Sequence, residues 1–229
     1  MKNTDSIIPK PIPDEKTVFT EDQILESDGT VNTEKKTIFL IGDSITVGYR
    51  ETVRRELDGF ANVVYPDENG RCTQYVIVSL RRWSGLCDPE KVDLVQFNCG
   101  HWDVAHWNDE EVSLTPLPVY RENIARIFET LRRVFRNAKI VFATTTRMNP
   151  DGTNSKNVRT TEEIIRYNAA ALDALKGRDV TVNDLFAFVE DFPPEAFRDH
   201  CHFKTETNAV IGAHCASLFR ELLKQPEIS

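Results

Sequence analysis

Short apolar runs, each about as long as a β-strand, alternate with helix-length amphipathic stretches along residues 37–223, and this alternation restricts the possible folds more than any other feature of the chain. The run Thr37-Ile38-Phe39-Leu40-Ile41 is apolar without a break, as a strand covered on both faces must be. Strands are expected over 37–41, 62–65, 94–98, 139–143 and 180–183, and helices over 47–57, 74–83, 119–135, 161–175 and 206–223. In the third helix Ile124, Ile127, Phe128, Leu131 and Val134 share one stripe, with Arg121, Glu122, Glu129, Arg132 and Arg133 elsewhere; Pro116 and Pro118 are assigned to the loop before it. Right-handed crossovers then give an α/β fold, a three-layer α/β/α sandwich around a five-stranded parallel sheet of order 2-1-3-4-5. That order sets strands one and three side by side at the switch point, where open α/β sheets bind ligands.

The 229 residues, 40% of them hydrophobic, suffice for one large domain, expected over 36–229. Residues 1–35 read as a polar N-terminal arm, with Ile7-Ile8 and Val18-Phe19 as apolar anchors through which it can dock. Twenty-eight basic against 36 acidic residues leave a formal charge of −8, which repels nucleic acid and anionic membranes alike. Apolar runs fall far short of the ~20 residues of a bilayer span, and Met1-Lys2-Asn3-Thr4-Asp5 opens no signal peptide, so the expected location is cytoplasmic. Five scattered cysteines suit free thiols in a reducing compartment. His200, Cys201, His202, His214 and Cys215 crowd together without a CxxC pair or an HExxH helix, so neither a metal nor a cofactor is expected. Cys201 stands between two histidines that project in other directions, a poor arrangement for a nucleophile. The oligomeric state is left open.

Two segments carry chemistry. Gly42-Asp43-Ser44-Ile45 follows the first strand, so Ser44 stands where a buried strand ends and a helix begins, beside unpaired helical N–H groups. A serine there is placed either to attack a carbonyl or, like Asp43, to cap the helix. Far along the chain, Asp199 and His202 lie three residues apart, so one short turn can present a base together with the carboxylate that orients it. Their alternative roles are an N-cap near Thr205 and a surface histidine.

With these segments the chain resembles the SGNH hydrolases, the GDSL family of esterases and acylhydrolases, from residue 36 to about 223. Gly42-Asp43-Ser44 is similar to that family's first block and Asp199-x-x-His202 to its last, which implies Ser44 as nucleophile with Asp199 and His202 as triad partners. Glu68-Asn69-Gly70-Arg71-Cys72-Thr73 is similar to the second block, with Gly70 implied as a backbone oxyanion donor. The third block normally offers an asparagine two residues after its glycine. Here Asn98-Cys99-Gly100-His101-Trp102-Asp103 puts an indole at that place, so Gly100 and Asp103 match while the donor is reopened among the Asn98 amide, the Trp102 indole and the backbone of His101 or Trp102. Losing one such donor costs about 10²- to 10³-fold in turnover.

The segments 142–146, 167–168 and 182–185 also resemble the carbohydrate-esterase-like branch of the family, at places where strand ends are expected, though Thr and Asn there equally serve as turn and cap residues. Arg147 is a candidate for an anionic or hydroxyl-rich substrate, or for pairing with a carboxylate. The resemblance implies a serine esterase acting without a cofactor on small acyl esters, with O-acetyl groups on carbohydrates the favoured partner. Two other readings are a non-catalytic carbohydrate-binding domain, suggested by the altered third block, and an acyltransferase using the same triad.

Overall fold

The computed structural model describes residues 35–153 and 156–224; the N-terminal arm, apart from Lys35, lies outside the described residues. Among the described residues seven strands run in chain order: β1 Lys36–Ile41, β2 Ala61–Val64, β3 Leu94–Phe97, β4 His106–Trp107, β5 Lys139–Ala143, β6 Asn157–Val158 and β7 Thr181–Asn183. The helices are α1 Ser44–Glu56, α2 Thr73–Trp83, α3 Leu117–Val134, α4 Thr161–Leu175, α5 Leu185–Phe188 and α6 Thr205–Lys224. Five strands form one parallel sheet ordered β2-β1-β3-β5-β7, which is the expected 2-1-3-4-5 order once the short β4 and β6 are set aside.

Strand residues alternate between two cores because successive Cβ atoms point to opposite faces. Ile38, Leu40, Leu94, Val141 and Ala143 pack with Tyr49 and Val53 of α1 and with Ile211, Cys215 and Phe219 of α6. Phe39, Ile41, Val95, Phe97, Ile140 and Phe142 face the other way, against residues of α2, α3 and α4. Phe97 and Phe142 meet across adjacent strands with ring centroids 5.1 Å apart. Truncating such a buried ring costs about 3–5 kcal/mol.

Element ends depart from expectation where caps decide them. α1 begins at Ser44 rather than 47 because the Asp43 carboxylate accepts the Ile45 amide at 3.0 Å and starts the helix three residues ahead of its apolar stripe. α3 begins at Leu117, so Pro118 belongs to its first turn, where a missing N–H costs no helical bond. The β4–β6 ribbon and α5, each only two to four residues long, are additions that periodicity does not reveal.

Register sets the site. Ile41 pairs with Phe97 across β1 and β3, and the Asn98 amide extends that ladder by donating to Ile41 O at 3.0 Å. The chain segments that follow, 42–44 and 98–103, therefore leave the sheet side by side at its carboxyl rim.

Candidate active site

Ser44 occupies the first helical position of α1, half-buried, while Asp43 beneath it is fully buried. Gly42 makes this exit by close approach. A Cβ on Gly42 would lie 2.1 Å from Thr46 Oγ1, and one on Gly70 would lie 2.6 Å from the Gly42 carbonyl oxygen. The Gly70 N–H donates to that same oxygen at 2.8 Å, tying the loop after β2 to the strand end that carries Ser44.

Asp199 and His202 sit in a closed loop. Phe197 and Phe203 pair as an antiparallel bridge, and the Arg198 amide donates to His202 O at 2.7 Å. Within the loop Asp199 Oδ1 accepts the amides of Cys201 at 3.0 Å and His202 at 2.8 Å, which fixes the carboxylate before it meets the ring. His202 Nδ1 donates to Asp199 Oδ2 at 2.9 Å, leaving Nε2 to accept the Ser44 hydroxyl at 2.8 Å. Partial burial alone would raise the Asp199 carboxyl, but the two amides and the His202 ring outweigh it and hold it well below the usual carboxylate range. A strap from the segment after β5 supports the loop from outside: the Asn149 amide donates to His200 O at 2.9 Å and its side chain to Asp199 O at 3.1 Å.

The third segment is held from below. The Asp103 carboxylate accepts Thr73 N at 3.0 Å and Thr73 Oγ1 at 2.6 Å, so it caps α2 from across the fold where Cys72, at the N-cap position, contributes no side-chain bond. Gly100 presses on Thr145, whose Oγ1 would lie 2.0 Å from an added Cβ. Burial pushes the carboxyls of both Asp43 and Asp103 up to about 6, opposed at Asp43 by the Ile45 amide and the Arg159 charge, and at Asp103 by bonds from Thr73. His101 is buried with Nε2 3.1 Å from Thr146 Oγ1, and burial with the nearby Arg159 charge drives its pKa well down, so the ring is neutral.

Ser44, Asp199 and His202 thus come together, whereas the expected oxyanion groups are variously engaged. The Gly70 amide is bound to Gly42 O, and the Asn98 side chain donates to Ala143 O at 3.0 Å, toward β5. Trp102 is half-exposed and packs on Trp107 of β4 with ring centroids 5.3 Å apart. Among the described residues Arg147 pairs with no carboxylate: its guanidinium donates to the carbonyls of Val189, Met148 and Phe192. The strand-end Thr and Asn residues serve the framework. Thr144 bonds Asp184 and the Phe186 amide, and the Asn168 side chain makes two bonds to the Thr145 backbone.

Sequence reasoning missed Arg159, which follows β6. It donates through Nη1 to His101 O at 2.7 Å and through Nη2 to His200 Nε2 and Cys201 Sγ, both at 3.2 Å. The only local signal there is the capping box of Thr160 and Glu163, which announces α4 and says nothing of Arg159.

Among the described residues one trio, Asp199, Cys201 and His202, brings metal-capable atoms within 4.8 Å of one another, but its His202 Nδ1 is the atom bonded to Asp199. Burial pushes the Cys201 thiol up to about 11, which keeps it from acting as a thiolate. All five cysteines are free, and no helix among the described residues is long and apolar enough to cross a membrane.

Residues 40–210 match the model of the GDSL-like lipase/acylhydrolase family. No curated protein sequence matches the chain. Solved structures share the fold at low identity. A lipase/acylhydrolase from Enterococcus faecalis is 20% identical with a TM-score of 0.64, over 83% of this chain and all of the other. A GDSL-like lipase from Bacteroides thetaiotaomicron is 17% identical with a TM-score of 0.64, over 89% of this chain and 96% of the other. The acetylxylan esterase Axe2 from Geobacillus stearothermophilus is 15% identical with a TM-score of 0.63, over 83% of this chain and 95% of the other.

Proposed function

The chain belongs to the GDSL-like lipase/acylhydrolase family, and from that premise we propose that it is a serine esterase whose nucleophile is Ser44, with His202 as base and Asp199 as the group that orients it. The observation that carries the reading is the continuous line of hydrogen bonds from Ser44 Oγ to His202 Nε2 at 2.8 Å and from His202 Nδ1 to Asp199 at 2.9 Å. It also weighs against a non-catalytic binding domain, which has no use for a serine aligned with a base.

Ser44 Oγ attacks the ester carbonyl as its proton passes to His202 Nε2. The alcohol leaves with that proton, and water then adds to the acyl-enzyme with His202 again as base, releasing the acid and restoring the serine. Charge on the carbonyl oxygen is met first by the Ser44 amide, which opens α1 and has no partner along the helix. The Gly70 amide and the Asn98 side chain already serve the Gly42 and Ala143 carbonyls, so any help they give is shared with those acceptors.

The favoured substrates are small acyl esters, above all O-acetyl groups on carbohydrates. Supporting this are the acetylxylan esterases among the fold neighbours and the half-exposed Trp102 on Trp107, an aromatic surface of the kind sugar rings pack against. Assays with nitrophenyl acetate and acetylated xylan test the proposal. Ser44→Ala should lower turnover by more than about 10³-fold with unchanged thermal unfolding. Retention of a tenth of wild-type turnover would remove Ser44 as nucleophile. Analysis of products with added sugar acceptors separates hydrolysis from acyl transfer through the same intermediate.

A further inference from the structure

We propose that Arg159 is a positioning residue, a planar clamp that fixes the distance between the loop carrying Asp199 and His202 and the turn 98–103 beside the nucleophile. This deepens the esterase reading above and rests on it. Nη1 holds the His101 carbonyl at 2.7 Å, and Nη2 holds His200 Nε2 and Cys201 Sγ at 3.2 Å each. His200 and Cys201 are the two residues enclosed between Asp199 and His202, so the guanidinium grips the acid–base loop at its centre. Its other hand grips the residue between Gly100 and Trp102.

Three features make this a device for geometry rather than a surface contact. A guanidinium is rigid and planar, so two of its nitrogens set a fixed spacing between the groups they hold. The residue is anchored at its base, because β6 pairs Asn157 with Trp107 and Val158 with His106 just before it and the capping box of α4 follows directly after. His200 takes part as an acceptor, which puts its lone pair on Nε2 and its proton on Nδ1, toward Asp199 Oδ1 at 3.7 Å. Burial and the Arg159 charge both lower the His200 pKa and so preserve that acceptor form. A lysine at 159 keeps a positive charge but brings a single nitrogen, and one nitrogen cannot reproduce the spacing.

The experiment compares wild type, Arg159→Lys and Arg159→Met by kinetics on nitrophenyl acetate, thermal unfolding, and proton NMR of the low-field imidazole resonance from the His202–Asp199 hydrogen bond. Misplacement near 1 Å costs about 10²-fold, so both variants should lose about 10- to 100-fold in kcat with KM within about threefold, and the low-field resonance should broaden or vanish in both. Wild-type kcat in either variant overturns the proposal. So does a rise in KM at constant kcat, which would make Arg159 a substrate contact, or a loss of kcat with the resonance intact. Unfolding of both variants at the assay temperature overturns it as well, since Arg159 is then an element of the fold. If wild-type protein shows no esterase turnover the functional reading fails, and the resonance in wild type and Arg159→Lys still decides the clamp.

Discussion

Gly70→Ala is the substitution whose consequence the coordinates define most tightly. The added methyl would stand 2.6 Å from the Gly42 carbonyl oxygen and 3.0 Å from its carbon, both backbone atoms that no side-chain rotation can move. Ordinary contact begins at 3.4 Å, so strand end and loop must part by about 0.8 Å, and the bond from Gly70 N to Gly42 O at 2.8 Å stretches with them. Overpacking of this kind costs about 1–3 kcal/mol, and at this chain length each kcal/mol lowers Tm by about 2–4 °C. The kinetic penalty should be larger, because Gly42 is two residues from Ser44 and a displacement approaching 1 Å at the reacting atoms costs about 10²-fold. Nitrophenyl acetate turnover and differential scanning fluorimetry read both effects, with Gly85→Ala as control, since nothing lies within 4 Å of a Cβ there. A Gly70→Ala enzyme within about threefold of wild type in kcat and within about 1 °C in Tm would refute the claim that this contact sets the position of Ser44.

Asp103→Asn probes a charge buried beneath the site. Because burial lifts the Asp103 carboxyl to about 6 from an ordinary value near 4, the folded state binds the proton more tightly than the unfolded chain, so its contribution is fully present below about pH 4 and declines as pH rises through about 6. Urea unfolding at about pH 4.5 and 7 should show a flatter pH dependence in the variant, and an unchanged slope would count against this assignment. Gln96→Leu cuts a buried chain in which Asn183 donates to Gln96, Gln96 to Tyr49 and the Tyr49 hydroxyl meets Thr46, leaving Tyr49 with Thr46 alone and Asn183 with His214 and Cys215, each one partner short in the core. Stability should fall by about 1–3 kcal/mol in urea unfolding; a loss under about 0.5 kcal/mol would mean that the remaining partners of Tyr49 and Asn183 suffice.

The sheet was legible because its strands are covered on both faces: apolar runs as short as 37–41 and 140–143 suit a buried strand and little else, and helix-length intervals between them force parallel crossovers. Helix α4, expected over 161–175, spans Thr161–Leu175, and the structure shows the physical reason for its sharp start in the capping box of Thr160 and Glu163. Helix α1 was not, because Asp43 reads equally well as part of a catalytic motif and as a cap, and it is the cap. The meeting of Ser44 with His202 spans 158 residues and was accessible only by joining two motifs, each ambiguous alone. Nothing local points to Arg159, whose partners lie 41, 42 and 58 residues away, or to Asp103 as the cap of a helix thirty residues before it. Such contacts belong to tertiary packing and leave no periodicity to read.

The sealed position of Asp43 bears on how a molecule of charge −8 would accommodate the anionic transition state of the proposed reaction. Its carboxylate faces inward and engages the Ile45 amide, while the Ser44 amide of the same turn has no acceptor along the helix. The positive pole of α1 is thereby divided, one part neutralised within the interior and the other left to the cleft. Repulsion from the acidic exterior is damped by water and salt beyond about 10 Å, whereas in the proposed mechanism the Ser44 amide acts at contact range. The reaction centre can thus be locally electropositive on a protein whose far field is negative, and raising the ionic strength should change the approach of charged substrates more than the chemistry of neutral ones.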